Sequence, residues 1–214
     1  NSVSAHVALP PGVNADGLQA FVEARFTDEG TCLFQTSGTE GAPKWVVLTK
    51  DGMQRSAKAV NAHFGITAAD RWLLALPLWH VGGFGIVARA YAAGCEVTTL
   101  EGKWDAKAFT ELAAASKSTL TSLVPTQVFD LVTARLKAPT SMRVVLVGGA
   151  ALSADLEKAA LDLGWPIRRT YGMTETASQV ASQSIAGGEL EVLSLWDLQT
   201  DSDGILTIRG PALA

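Results

Sequence analysis

The chain has 214 residues, 48% of them hydrophobic, and a formal net charge of −4 at pH 7. A chain of this length can bury a substantial core as one large domain or two small ones. The slight acidic excess and the lack of clustered Lys and Arg exclude a general nucleic-acid surface, so we expect small molecules as partners.

Cysteine usage and hydropathy indicate the compartment. Cys32 and Cys95 are too few and too widely spaced for a disulfide framework or a zinc knuckle, which favours a reducing cytosol. No apolar run approaches the roughly 18 residues that span a bilayer, and the first residues lack a signal-peptide pattern. We therefore expect a soluble cytoplasmic protein without a membrane span. Because the chain begins at Asn1 and stops just after IRGPALA, we also expect a fragment of a longer protein.

Strand and helix patterns alternate along the chain. Short apolar or β-branched runs predict buried strands. These runs span residues 32–36, 45–48, 72–76, 96–100, 120–124 and 143–147. Helical patterns separate most of them, with N-terminal signals at Thr49, Asp105, Pro125 and Ser153. The predicted helices run to about residue 64, over 106–115, over 126–136, and to a stop at Gly164.

This succession of elements predicts an α/β fold of mostly parallel sheets covered by helices. Ligands of such folds bind at the loops that follow the C-terminal ends of the strands. The alternation weakens after Thr176, and residues 203–210 (DGILTIRG) predict an edge strand of a hairpin. The loops between predicted strands and helices are therefore where we look for a site.

One loop, within residues 34–49 (FQTSGTEGAPKWVVLT), has the composition of a phosphate cradle. Its glycines let backbone N–H groups turn toward one point, its hydroxyls add donors, and its lysine adds a positive charge. A flexible turn between two strands is the alternative. The loop is not a Walker A motif, since Pro43 precedes Lys44 and Trp45 follows it. The candidate phosphate ligands are Thr36, Ser37, Gly38, Thr39, Gly41 and Lys44.

A histidine follows the strand predicted at 72–76. His80 precedes Gly82 and Gly83, which leave space beside it for a substrate, although a packed or capping histidine is the alternative. Residues 83–88 (GFGIVA) match the dinucleotide pattern G-x-G-x-x-A, but Glu101 fits the required acidic position poorly. A lipase-like interpretation of HVGG is excluded because the sequence contains no G-x-S-x-G nucleophile elbow.

These segments resemble the adenylate-forming superfamily of acyl-CoA synthetases. Residues 36–49 are similar to its phosphate loop, T-S-G-T-T-G-x-P-K-G-V, and depart from it at Glu40 and Trp45. LPLWHVGGFG (76–85), VVLVGGAAL (144–152) and YGMTETASQ (171–179) are similar to its acyl-pocket, adenine-lining and adenylate-binding segments. The resemblance implies part of the large N-terminal domain of that fold, with a small β region at the C-terminal end.

The resemblance also implies roles for individual residues. Tyr171 would pack on adenine, Thr174 would hydrogen-bond the α-phosphate, and Glu175 would help to bind Mg²⁺. The further nucleotide contacts that it implies are Gly148, Gly149, Ala150, Ala151, Gly172 and Met173. The residues assigned to catalysis are Lys44, His80, Thr174 and Glu175. The candidates for binding the acid are His80, Gly82, Gly83, Thr126, Arg169, Ser178 and Gln179.

Within the superfamily, residues 31–182 most resemble the o-succinylbenzoate:CoA ligases of menaquinone biosynthesis. This implies ATP, Mg²⁺ and coenzyme A, and a carboxylic acid substrate with an aromatic ring and a second carboxylate. A ligase for another aryl or short-chain acid would use much of the same scaffold. A non-catalytic nucleotide-binding remnant is a further hypothesis, suggested by Glu40 and by the absence of the superfamily's C-terminal lysine.

The resemblance predicts three regions. Residues 1–30 would be an incomplete N-terminal segment and residues 31–185 the AMP-binding α/β core. Residues 186–214 would begin a β subdomain that is truncated before the C-terminal lid domain. Because such folds often dimerise, a homodimer is also a hypothesis.

Overall fold

The structure, a computed structural model, describes residues 5–13, 17–25, 30–36 and 44–214. Its strands are β1 His6–Ala8, β2 Thr31–Thr36, β3 Lys44–Thr49, β4 Arg71–Leu74, β5 Glu96–Thr99, β6 Leu120–Leu123, β7 Val144–Val147, β8 Ile167–Tyr171, β9 Ala181–Ser184, β10 Gly187–Val192, β11 Asp197–Thr200 and β12 Leu206–Arg209. Its helices are α1 Leu18–Arg25, α2 Lys50–Phe64, α3 Val81–Ala93, α4 Ala106–Ala115, α5 Pro125–Thr133 and α6 Ala154–Asp162, and a 3₁₀ turn spans Thr174–Thr176.

Seven strands form a central sheet in the order β10-β9-β8-β7-β6-β4-β5. The neighbours from β5 to β8 pair in parallel, and β9 and β10 extend the sheet with antiparallel pairs. A separate sheet contains β1, β2 and β3, and β11 pairs with β12. The α/β fold with a mostly parallel sheet that the sequence predicts is confirmed.

Helices cover both faces of the central sheet because successive strand residues point to opposite sides. Trp72 of β4 lies in one buried cluster with Ile86 of α3 and residues of α2. The next residue, Leu73, lies in a second cluster with Phe109 of α4 and Val128 of α5. The first cluster therefore joins the sheet to α2 and α3, and the second joins it to α4, α5 and α6.

The strand order creates a crevice between β4 and β6. The chain leaves β4 into α3 on one face of the sheet and leaves β6 into α5 on the other. Such a switch point opens a cleft at the C-terminal edge of a parallel sheet. Gln127 of α5 joins the two strand ends, since its Nε2 donates to the Ala75 carbonyl at 3.0 Å and its Oε1 accepts from Val124 N at 3.0 Å. This bridge fixes the spacing of the two edges of the cleft.

The predicted elements agree with the structure to within three residues at each boundary. The six predicted strands correspond to β2 to β7, the four predicted helices to α2, α4, α5 and α6, and the predicted edge strand to β12. The sequence analysis did not predict α3, whose first turns contain three glycines. Residues 83–88 lie inside this helix, so they do not form a dinucleotide-binding loop.

Residues after 185 belong to two different structures. β10 continues the central sheet by pairing with β9, whereas β11 and β12 form their own antiparallel hairpin. The predicted region boundaries at residues 30 and 185 stay predictions. In the described ranges, the helices are all too short or too polar to cross a membrane.

Candidate functional site

A cavity of about 840 Å³ opens at the C-terminal edge of the central sheet. Its walls come from the chain that follows β4, β6, β7 and β8, together with the start of α3 and the ends of β2 and β3. Segments that are far apart in the sequence therefore meet at one place. The predicted site residues that line this cavity are Thr36, Lys44, His80, Gly82, Thr126, Gly148, Gly149, Gly172, Met173, Thr174, Glu175, Ser178 and Gln179.

Other predicted site residues lie outside the cavity lining. Gly83 is buried in α3, where an added Cβ would collide with the Pro77 carbonyl oxygen, so this glycine allows close packing. Arg169 Nε lies 3.1 Å from Glu157 Oε2 of α6, an ionic contact without hydrogen-bond geometry. The predicted site residues outside the lining are Gly83, Ala150, Ala151, Arg169 and Tyr171.

Most of the predicted phosphate loop falls outside the described residues, namely Ser37, Gly38, Thr39 and Gly41, with Glu40 between them. The two strands that flank this loop are described. β2 and β3 pair in antiparallel register, with Thr36 opposite Lys44. Both of these residues line the cavity, so the two ends of the loop lie at its edge.

His80 is the N-cap of α3. Its Nδ1 accepts a hydrogen bond from Gly82 N at 3.0 Å, which satisfies one of the free N–H groups of the first helical turn. Nδ1 must be unprotonated to accept this bond, so the neutral imidazole carries its proton on Nε2. Although the residue is exposed at the cavity, desolvation by the surrounding protein lowers the pKa of His80 below its ordinary value of 6.5. His80 can therefore donate from Nε2 near neutral pH.

The chain folds back sharply after β8 and presents Thr174 and Glu175 to the cavity. Met173 N donates to Thr176 Oγ1 at 3.1 Å, and the same hydroxyl donates to the Met173 carbonyl at 3.0 Å. Gly172 permits the close return of the chain, because a Cβ at this position would collide with the Ser178 carbonyl. A threonine hydroxyl and a carboxylate thus lie side by side on a tightly held turn.

Two glycines end β7 beside this turn. An added Cβ at Gly148 would lie 2.5 Å from Thr170 Oγ1 of β8, closer than side-chain atoms approach. Gly149 has a φ of +82°, in the left-handed region that favours glycine. Both glycines line the cavity, so backbone rather than a side chain faces it at these two positions.

The sequence analysis missed Arg89. This residue of α3 is only 2% exposed and lines the cavity. Its Nη2 donates to Ser178 Oγ at 3.0 Å, and its Cζ lies 6.0 Å from the ring centroid of Trp72. Within the described ranges, no carboxylate lies at ion-pair distance from it. The available signal was a single arginine in the apolar run GIVARAYAA, residues 85–93.

The charge of Arg89 makes the cavity attractive to an anion. Desolvation by burial lowers the pKa of its guanidinium to about 10. The group remains protonated near neutral pH, so it is a buried cation without an ionic partner among the described residues. Such a charge is unfavourable unless a ligand of opposite charge neutralises it. Arg89 therefore makes the cavity suited to a carboxylate or another anion.

Further polar groups of the cavity were also missed. Ser122 Oγ of β6 is buried and has no hydrogen-bond partner in the described part of the chain, and the same holds for Oε1 of Gln179, a predicted residue. Trp104 Nε1 donates to Asp130 Oδ2 at 2.8 Å, and both residues line the cavity. Unpartnered buried polar atoms are expected where a ligand supplies the missing partners.

A metal ion would have few protein ligands here. Among the described residues, no group of three or more His, Cys, Asp or Glu could hold one. The carboxylate of Glu175, on the turn beside Thr174, fits Mg²⁺ that arrives with phosphates, because that ion keeps several waters and takes one or two carboxylates beside phosphate oxygens.

Comparison with known sequences gives a consistent result. The sequence matches the AMP-binding enzyme family over residues 15–208. It is 31% identical over 204 residues to 2-succinylbenzoate–CoA ligase of Bacillus cereus strain Q1, covering 91% of this chain and 42% of that protein. The chain thus spans about two fifths of the length of the curated relatives that it matches.

Solved structures give the same relationship. The o-succinylbenzoate coenzyme A synthetase of Bacillus subtilis in complex with ATP and magnesium aligns with a TM-score of 0.77 at 29% identity, over 85% of this chain and 41% of that chain. Its complex with the acyl-adenylate intermediate also aligns with a TM-score of 0.77 at 29% identity, over 85% of this chain and 51% of that chain.

The cap formed by His80 predicts a difference between two substitutions. His80→Ala removes the acceptor for Gly82 N and should lower the free energy of unfolding by about 1 kcal/mol. His80→Asn keeps an oxygen acceptor at the cap, so it should lower the free energy of unfolding by less than His80→Ala does. Urea denaturation at pH 7.5 measures both, and equal losses in the two variants would contradict a capping role.

The same comparison predicts a pH dependence. Because the pKa of His80 is lowered in the folded state, the unfolded chain takes up this proton first as the pH falls. The stability of the wild type relative to His80→Asn should be greatest above pH 6.5 and should decline below it. A stability difference that stays constant between pH 8 and pH 5 would argue against a desolvated, neutral imidazole.

Proposed function

This chain belongs to the AMP-binding enzyme family, and on that premise we propose that its protein is an ATP-dependent acid:CoA ligase for 2-succinylbenzoate. The observation that carries the proposal is one cavity lined by two chemically different sets of side chains. Lys44, Thr174 and Glu175 suit a nucleotide phosphate, and Arg89 and His80 suit an acid. The named activity of the relatives supports the choice of acid.

In the proposed first half-reaction, a carboxylate oxygen of the acid attacks the α-phosphorus of ATP. A P–O bond forms, the bond to the β-phosphate oxygen breaks, and pyrophosphate leaves with that electron pair. Lys44 and the Thr174 hydroxyl supply a positive charge and a donor to the phosphate oxygens as negative charge develops. His80 donates from Nε2 to the reacting carboxylate and orients it.

Mg²⁺ would be held by Glu175 together with phosphate oxygens and water. When bound, the ion screens the negative charges that the phosphates and the carboxylate bring together. In the proposed second half-reaction, the thiol sulfur of coenzyme A attacks the acyl carbon of the mixed anhydride. A C–S bond forms, the acyl C–O bond to the phosphate breaks, AMP leaves with that electron pair, and the thiol proton passes to solvent.

The buried charge of Arg89 favours an acid with two carboxylates. A monocarboxylate that reacts at the α-phosphorus leaves Arg89 without an ionic partner in the described part of the chain. A second carboxylate on the substrate neutralises the guanidinium and forms charge-assisted hydrogen bonds. Ser122, whose hydroxyl has no hydrogen-bond partner among the described residues, offers one more polar contact at the same cavity. This supports a dicarboxylic acid over a simple aryl or short-chain acid.

The cellular setting is part of the proposal. We infer a cytoplasmic location, since Cys32 and Cys95 are both free thiols, which suits a reducing compartment. The homodimer and the three regions inferred from the sequence are carried forward as proposals as well. Sedimentation of the whole protein tests the first of these.

The activity is tested with the whole protein, ATP, Mg²⁺, coenzyme A and a panel of carboxylic acids. Pyrophosphate release should be fastest with 2-succinylbenzoate and should depend on the acid. Faster release with another aryl or short-chain acid would move the proposal to that acid. The absence of release with every acid, together with calorimetric binding of ATP, would instead support a non-catalytic nucleotide-binding protein.

The role of Lys44 predicts a selective kinetic effect. Lys44→Ala removes a charged donor at the phosphate end, so it should raise the KM for ATP by about tenfold to a hundredfold and leave the KM for the acid nearly unchanged. Lys58→Ala is the matched control, since Lys58 is an exposed lysine of α2 outside the cavity lining. Unchanged ATP kinetics in Lys44→Ala would contradict the assignment.

The role of Arg89 predicts the opposite selectivity. Arg89→Met keeps an apolar stem but removes the cation, so the KM for 2-succinylbenzoate should rise by about tenfold to a hundredfold. For an analogue whose second carboxylate is replaced by a primary amide, the same substitution should raise the KM much less. Arg55→Met on the surface of α2 is the control. Equal losses with both acids would show that Arg89 does not bind the second carboxylate.

A further inference from the structure

The guanidinium of Arg89 lies directly over Gly85 of the same helix. Long side chains on a helix lean toward the turn that precedes them, so a residue covers the position four places earlier. In α3 that position has no side chain. An ideal Cβ built on Gly85 would lie 3.2 Å from Arg89 Nη2 and 3.4 Å from Arg89 Cζ. A methyl group would press on the guanidinium at close to contact distance.

Two further neighbours confine the guanidinium, which also lines the cavity. On another side it faces Trp72, which is fully buried, with its Cζ 6.0 Å from the ring centroid. Its Nη2 is also held by Ser178 Oγ at 3.0 Å, and the added Cβ at Gly85 would lie 3.5 Å from that oxygen. The slot that holds the guanidinium is therefore bounded by Gly85, Trp72 and Ser178.

The backbone itself does not require glycine at position 85. The residue lies in the interior of α3 and is not among the glycines with positive φ. A glycine in the middle of a helix destabilises it by roughly 1 kcal/mol relative to alanine. The tight approach of the Arg89 side chain, rather than backbone conformation, is therefore the constraint that the structure shows at position 85.

We propose that Gly85 is a positioning residue of the acid site: the missing Cβ lets the Arg89 guanidinium lie against α3, where it bonds Ser178 and still faces the cavity. This inference rests on the proposed role of Arg89 in binding the second carboxylate of the acid. Gly85 itself lies outside the cavity lining, so it acts through Arg89.

The test is a double-mutant cycle in the whole protein with Gly85→Ala, Arg89→Met and both changes together. Gly85→Ala should raise the KM for 2-succinylbenzoate by about tenfold, the loss of roughly one charge-assisted contact. The KM for ATP should not change. In the Arg89→Met background the same alanine should have almost no effect on the KM for the acid, because the group that it displaces is absent.

Thermal unfolding of the same variants gives a readout that does not depend on the acid. Gly85→Ala should stabilise α3 more in the Arg89→Met background than in the wild type, because only the wild type must also shift the guanidinium. If Gly85→Ala alone does not fold, recovery of folding in the double variant supports the proposal, and failure of both overturns it.

The remaining outcomes separate this proposal from the proposed function. An unchanged KM for the acid in Arg89→Met would refute the acid site, while coupling between positions 85 and 89 in thermal unfolding would still support the slot. An effect of Gly85→Ala that is the same in both backgrounds, in kinetics and in unfolding, would overturn the role of Gly85.

Discussion

The parallel pairing of β4, β6, β7 and β8 brings most of the candidate ligand groups to one edge of the central sheet, and Thr36 and Lys44 reach the same cavity from β2 and β3. The C-terminal ends of parallel strands meet at one edge of the sheet, so the chain that follows each strand arrives at the same place. The crevice opens because the chain leaves β4 and β6 toward opposite faces of the sheet, and Gln127 is hydrogen-bonded to both sides of it. His80, Gly148 and Thr174 reach one cavity because each follows one of these strands.

The second organising feature of the cavity is charge. Lys44 lies where a nucleotide phosphate is proposed to bind, and Arg89 supplies a separate, buried positive charge. An acid that is to be adenylated brings one carboxylate to the phosphate end, where it is consumed. A buried cation elsewhere in the cavity favours a substrate that keeps a second negative charge. In the proposed function, Lys44 would bind the nucleotide phosphate beside the reacting carboxylate, and Arg89 would bind the second carboxylate.

Much of the fold could be predicted from the sequence because local patterns specify it. Short β-branched runs and recognisable caps predicted β2 to β7 and four helices, and the caps at Thr49, Asp105 and Ser153 are present. Helix α3 was missed because its glycines are typical of a loop. In the structure, Gly83 allows close packing on the Pro77 carbonyl, and Gly85 leaves space for the Arg89 side chain. The N-cap of α3 is a histidine, which is not among the common capping residues.

Site residues could be predicted only where they belong to a sequence motif that resembles one of the superfamily's motifs. The convergence of the loop ends at Thr36 and Lys44 with the turn at Thr174 follows the motifs, and both segments line one cavity. Arg89 could not be located in this way, because its importance depends on burial and on the lack of a nearby carboxylate in the described ranges, which are properties of the folded chain. Arg169 was chosen by sequence position, and its contact with Glu157 directs it to α6.

In the proposed function, one nucleotide and one acid bind side by side in this cavity. A crystal structure of the whole protein with AMP and 2-succinylbenzoate measures this directly. The account predicts the phosphate between Lys44 and Thr174, one carboxylate beside His80, and the other on the Arg89 guanidinium. A nucleotide bound away from Lys44 and Thr174, or an acid with no contact to Arg89, would contradict it.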